Sequence, residues 1–188
     1  MLLDVAVHPD DHFVLAADRD EKIQVSRAAM PRSIESSCLG HTEFVNYISM
    51  LPTQPELLPS SSGDCTLRLW EYRSGRQLHC CHLHSLQEPA DLQVPQRFAT
   101  SRIAFWCQEN RVVLLSTCIA VGYIFQFHTG RQKLVYRQQL SFQHRVWDVA
   151  FEETQGLWVL QDCLEAPLPW CSAGLWVASG SLFLKVPC

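Results

Sequence analysis

No stretch limits the possible folds of this chain more than Gly40 to Tyr72, GHTEFVNYISMLPTQPELLPSSSGDCTLRLWEY. A Gly-His pair, Gly40-His41, precedes an alternating run from Phe44 to Met50. Leu57-Leu58 then leads through three serines into a Gly63-Asp64 turn, and Thr66 to Glu71 alternates again. Alternation over four to eight residues, flanked by turn residues, reads as half-buried strands rather than helix. Polar residues at fixed offsets within this pattern, His41, Ser60, Asp64 and Trp70, are candidates for one hydrogen-bonded set.

The arrangement resembles a WD repeat, with Trp70-Glu71 standing where the Trp-Asp dipeptide would be. A propeller blade of this kind is a four-stranded antiparallel sheet with little private core, so side chains must fix its turns. In such a blade the Trp70 indole, the Ser60 hydroxyl, the His41 ring and the Asp64 carboxylate would satisfy one another. The same His-Ser-Asp composition could suggest a hydrolase triad. The chain has no G-x-S-x-G elbow, however, and Ser60 falls in a strand-like segment, so the structural role is favoured.

The rest of the chain varies this unit. Asp20, Ile23, Val25 and Ser26 stand 44 residues before Asp64, Leu67, Leu69 and Trp70, and the spacing matches a blade period of roughly 40 to 45 residues. No Gly-His pair precedes the first unit, so it is expected to be cut at its start. A third unit follows the proline-bearing stretch 85–97, and a fourth opens at Val146 with VWDVAF, an echo of LLDVAV at Leu2. The expectation is an all-β fold: a partial WD40 β-propeller of three to four antiparallel four-stranded blades. These cover about 1–38, 39–84, 98–140 and 145–162, the last of them incomplete, and 163–188 forms a divergent tail that is not a blade.

Composition sets further limits. Nine scattered cysteines, without a secretory signal in the first residues, point to a reducing compartment. No apolar run reaches the eighteen or so residues of a membrane helix, so no membrane association is expected. The His79-Cys80-Cys81-His82 run suggests metal ligands, but neighbouring strand residues point to opposite faces, and an outer strand is the better reading. Net charge is −4, against strong non-specific binding to nucleic acid, although residues 97–145 carry seven bases and one acid. A solvated edge accounts for that span better than a polyanion patch.

Longer strings narrow the resemblance. ADRDEKI, HTEFV, TLRLWEYRSGRQLHCCHL, SRIAFWCQEN and VWDVAFEETQGLWVLQDC are similar to the WD-repeat, non-catalytic subunits of tRNA (guanine-N7-)-methyltransferase complexes, over about residues 1–168. That resemblance implies no catalytic residue, metal or cofactor in this chain. A catalytic subunit would be the partner and would bind S-adenosylmethionine; tRNA would be engaged through the complex, in the nucleus or also the cytoplasm. It also implies that Asp20, Glu21, Lys22 and the position of Gln24, where the family has arginine, contact the partner. Cys65 replaces a turn glycine and would strain a left-handed backbone there. An adaptor such as a ubiquitin-ligase substrate receptor is the alternative, suggested weakly by Asp18-Arg19.

Overall fold

The structure, a computed structural model, describes residues 1–86, 100–108, 111–118, 121–142, 144–151, 156–162, 176–178 and 181–187. Strands β1 (Leu2–Val7), β2 (Phe13–Asp18), β3 (Lys22–Arg27) and β4 (Met30–Leu39) pair in chain order as one antiparallel sheet. Strands β5 (Val45–Ile48), β6 (Leu57–Ser62), β7 (Thr66–Glu71) and β8 (Arg76–His82) form the second. The third joins β9 (Thr100–Gln108), β10 (Arg111–Cys118), β11 (Val121–His128) and β12 (Lys133–Ser141). A fourth is begun by β13 (Val146–Phe151) and β14 (Gly156–Asp162).

The fourth sheet corrects the expectation of an incomplete last blade followed by a tail that is not one. Two tail strands, β15 (Trp176–Ala178) and β16 (Ser181–Pro187), complete it in the order β13-β14-β16-β15. Strand β16 pairs with β14 from Gly156 opposite Pro187 to Asp162 opposite Ser181. An unpaired strand edge can be satisfied by any extended segment whose backbone donors are intact. Here the only proline of β16 is its last residue, so no blade motif is needed for the pairing.

Strand alternation explains how the sheets stack. Leu58 and Trp70 project from the second sheet into a cluster with Leu15, Ala17, Ile23, Val25 and Cys38 of the first. Leu57, Leu67 and Leu69 project the other way, onto Ile103, Tyr123, Phe125 and Phe127 of the third. Val146, Val149, Leu157 and Val159 of the fourth sheet meet Ala104, Ile124 and Leu140 of the third. The core is thus three layers between sheets, and each fully buried leucine contributes about 1.5–3 kcal/mol.

Strand β6 lies under both layers and is buried at every residue. A proline in such a central strand needs an explanation. Pro59 accepts from the Ser49 amide on the β5 side, so its missing N–H would also have faced β5. The β5 ladder ends one pair earlier, at Ile48 opposite Ser60, so the proline forfeits only the reciprocal bond to the Ser49 carbonyl at the end of the ladder.

Turns repeat as well. Glu21 and Cys65 occupy the same turn position 44 residues apart and are both left-handed, φ 66° and 60°. The strain foreseen at Cys65 is therefore present. Gly75 and Gln132 also share a position, just before β8 and β12, with φ 69° and 47°.

Replacing Gln132 with glycine should raise stability by about 1 kcal/mol, because the exposed left-handed residue would no longer carry a Cβ. Gly75→Ala should do the reverse, since its Cβ would lie 2.4 Å from the Ser37 carbonyl oxygen. Urea midpoints of the two variants should move in opposite directions; equal or inverted shifts would contradict the strain.

Candidate protein-docking surface and its supporting network

The second sheet brings His41, Ser60, Asp64 and Trp70 together as one polar chain. The Trp70 Nε1–H donates to Ser60 Oγ at 2.8 Å, and Ser60 Oγ lies 2.8 Å from His41 Nε2. His41 Nδ1 is 3.0 Å from Asp64 Oδ2. With the carboxylate able only to accept, Nδ1 carries the proton, Nε2 accepts from Ser60, and Ser60 accepts from the indole. Asp64 also accepts from the Thr42 and Thr66 amides at 3.0 Å each and from the Thr66 hydroxyl at 2.7 Å. That cage ties the β6–β7 turn to the residues entering β5.

Electrostatics match this tautomer. Burial, the larger influence, pushes the His41 imidazole below its ordinary value in spite of the Asp64 carboxylate. His41 is therefore neutral, and its contact with Asp64 is a hydrogen bond rather than an ion pair. Burial alone would raise the Asp64 carboxyl, but hydrogen bonds from His41, Thr66 and Thr42 outweigh it and hold it well below the usual carboxylate range. Ser60 is fully buried and already bonded, so no substrate carbonyl can reach it.

The residues implied as partner contacts fall into two groups. Asp20 and Glu21 form the exposed β2–β3 turn. Lys22 and Gln24 are half-buried in β3, where Gln24 pairs with Ala16 and Ser37. Alternation puts Gln24 on the face of the first sheet turned away from the second. Turn and face adjoin, so the four side chains border one open edge.

Sequence reasoning missed an axial set. A shared bulge near the start of each inner strand places Asp4, Tyr47, Arg102 and Asp148 at equivalent positions. Asp4 Oδ2 accepts from the Ile48 amide at 2.9 Å, across the first two sheets. The Arg102 guanidinium lies 5.4 Å from the Tyr47 ring centroid and pairs with Asp148, Nε to Oδ1 at 3.1 Å. An open groove of about 350 Å³ runs along Asp4, Tyr47, Ser49 and Arg102. The likeness of VWDVAF to LLDVAV was the available signal, since it set Asp148 where Asp4 stands.

Among the described residues the basic span does not converge. Arg102 is inner, Arg137 bonds Gln126 at 2.9 Å on the outer strands, and Arg145 covers the Trp147 ring at 4.2 Å. Arg97 and the Arg111 side chain lie outside the described residues. In β8, His79 and Cys81 share one side at 3.4 Å, while Cys80 and His82 share the other at 3.8 Å. Burial pushes the Cys38 and Cys81 thiols up to about 12, far from a reactive thiolate at neutral pH.

Residues 1–168 match the family model described as the tRNA methyltransferase TRM82 WD40 domain. The chain is 77% identical over 168 residues to the Homo sapiens tRNA (guanine-N(7)-)-methyltransferase non-catalytic subunit WDR4, covering 89% of this chain and 41% of that protein. Identity to the Mus musculus and Xenopus laevis subunits is 67% and 44%, over 89% of this chain and 41% and 42% of theirs. The chain thus spans about two fifths of the curated relatives it matches. A chain in a crystal structure of the Mitotic Checkpoint Complex shares the fold, at TM-score 0.67 and 14% identity, over all of this chain and 49% of that one.

Ser60→Ala should cost about 1–3 kcal/mol, since it strands the buried Trp70 N–H and His41 Nε2 together. Stability should also fall with acid. His41 is depressed, so the unfolded chain binds the extra proton once pH drops below about 6.5, and loss begins there. Asp64 is depressed too, and its contribution, full above about 3.9, is lost as pH falls through its folded value. Chemical denaturation between pH 8 and 5 should show this decline, and His41→Gln should flatten it; a flat wild-type profile would contradict the neutral buried imidazole.

Proposed function

Because this chain belongs to the family of the tRNA methyltransferase TRM82 WD40 domain, we propose that it is a non-catalytic subunit that binds a methyltransferase chain and holds it folded and oriented on tRNA. The observation that carries this reading is the family match over residues 1–168, joined to an exposed charged turn beside an open sheet face. The catalytic partner supplies the S-adenosylmethionine site and the chemistry, transfer of a methyl group to guanine N7. This chain supplies rigid attachment, in the nucleus.

Asp20, Glu21 and Lys22 present both signs of charge at the end of β2 and the start of β3. Gln24 follows on the same edge. In the second sheet the equivalent residue is Arg68, whose Nη2 lies 3.6 Å from the turn carboxylate Asp64 and whose Nε donates to Thr66 Oγ1 at 3.1 Å. An arginine at 24 would have the same reach toward Asp20 and a charge to share with the partner. Glutamine keeps a hydrogen bond but loses the charge and the bidentate fork.

Co-expression with the catalytic subunit of a tRNA (guanine-N7-)-methyltransferase tests the proposal. Co-purification and N7-methylguanosine formation in tRNA are expected, with none from this chain alone. Gln24→Arg should raise retention of the partner by about tenfold, the value of one charge-assisted contact of roughly 1.4 kcal/mol. Absence of co-purification for both the native chain and Gln24→Arg, beside a full-length relative that succeeds, would sink the reading.

A further inference from the structure

The second sheet is covered on both faces by its neighbours, the first and the third. Among residues 40–86, Phe44 is nevertheless the one large apolar side chain left exposed, at 36%. It stands on the connection from β4 to β5, and its ring lies against Gly63 in the β6–β7 turn. A Cβ at Gly63 would be 2.7 Å from Phe44 Cε1 and 2.9 Å from Cζ. The backbone of the turn does not itself call for glycine there, since its left-handed residue is Cys65. Gly63 therefore makes room for the ring. Two hydrogen bonds hold the same arrangement, from the Gly63 amide to the Phe44 carbonyl and from the Ser62 hydroxyl to the Glu43 carbonyl, each at 3.0 Å. A surface ring placed in advance loses little freedom when a partner covers it.

Charge describes what that partner offers. The β2–β3 and β6–β7 turns hold equivalent positions, so they stand at the same end of neighbouring sheets. Lys22 opens β3 opposite Leu39, the last residue of β4, and the chain runs from there through Thr42 and Glu43 to Phe44. Asp20, Glu21 and Glu43 are all exposed at this end. None of their three carboxylates has an ion-pair partner among the described residues. Unneutralised acids repel a phosphate backbone, so the occupant is a protein rather than tRNA. A fixed apolar ring beside them fits an apolar recess with a basic rim.

Resting on the proposed role as a methyltransferase subunit, we propose that Phe44 is the apolar anchor of the docking surface and that Gly63 is the residue that positions it. The ring enters a recess of the catalytic chain and forms the desolvated centre of the contact. Asp20, Glu21 and Glu43 meet the basic rim and set the orientation.

The test is the dissociation constant of the complex between this chain and the catalytic subunit of a tRNA (guanine-N7-)-methyltransferase. Phe44→Ala should weaken the complex by about tenfold or more. Gly63→Ala keeps the ring but displaces it, and should weaken the complex by about threefold or more. Glu43→Lys should weaken it as well and reduce its sensitivity to salt. Val135→Ala removes an apolar side chain of similar exposure, 37%, from β12 and should leave the constant unchanged. Phe44→Leu retains the covered part of the side chain and replaces any variant that does not fold, with a loss of about threefold or more expected. Native affinity in the Phe44 and Gly63 variants, or an equal loss in Val135→Ala, would overturn the anchor while leaving the proposed subunit role in place. Loss of tRNA binding with the protein complex intact would also overturn it, by making RNA the occupant. Failure of the native chain to form the complex would remove the subunit role and the anchor together.

Discussion

A sheet of four short strands has no interior, and every other feature of this molecule follows from the need to cover both of its faces. The second sheet meets that need within the chain, since the first covers one face and the third the other. Its central strand β6 is buried throughout as a consequence. A polar side chain left unbonded in such a strand costs about 1–3 kcal/mol; Ser61 Oγ is left so, whereas Ser60 is not. Ser60 is therefore held between Trp70 and His41 and could not be replaced by a merely small residue without loss.

The same need explains why the polar chain ends at Asp64. A neutral histidine can accept at one nitrogen only if the other donates, and the carboxylate at the turn takes that proton. Asp64 is in turn kept ionised by amides that precede β5 and open β7. Three segments distant in sequence are thereby fixed in one place, and the turn that follows is rigid enough to hold Cys65 in a left-handed conformation. The inner strands are joined by different chemistry: a carboxylate on a backbone amide between the first two sheets, and a cation over a ring followed by an ion pair between the second, third and fourth.

What could be read from the sequence was what repeats. The alternating strands and the His41, Ser60, Asp64 and Trp70 set were legible because a blade needs each of them at one spacing, and the strand content and sheet pairing agree. Strands β15 and β16 were not legible. Their place depends on filling the edge of β14 through backbone bonds, and backbone bonds leave no residue pattern. The Asp4, Tyr47, Arg102 and Asp148 series was hidden for a related reason. A bulge sets its register, and four different residue types at one structural position do not look like a repeat.

Positions 24 and 68 show the same place in a blade in two different settings. Both side chains leave the third strand of their sheet on the face turned away from the following sheet, four residues after a turn aspartate. Arg68 is shut between sheets, where it spans the Asp64 carboxylate, the Thr66 hydroxyl and the Gln77 amide, the last at 2.6 Å. Its charge is spent inside the molecule on holding a turn. Position 24 is half-buried on a face that none of the other described sheets covers, so a charge there would reach outward beside the acids at 20 and 21. With glutamine in that place the stretch from Asp20 to Gln24 carries two acids and one base. A partner surface matched to a balanced stretch would then meet one uncompensated negative charge at the moment both are desolvated. On the proposed function such a mismatch would weaken attachment without disturbing the His41, Ser60, Asp64 and Trp70 chain, which lies in the second sheet.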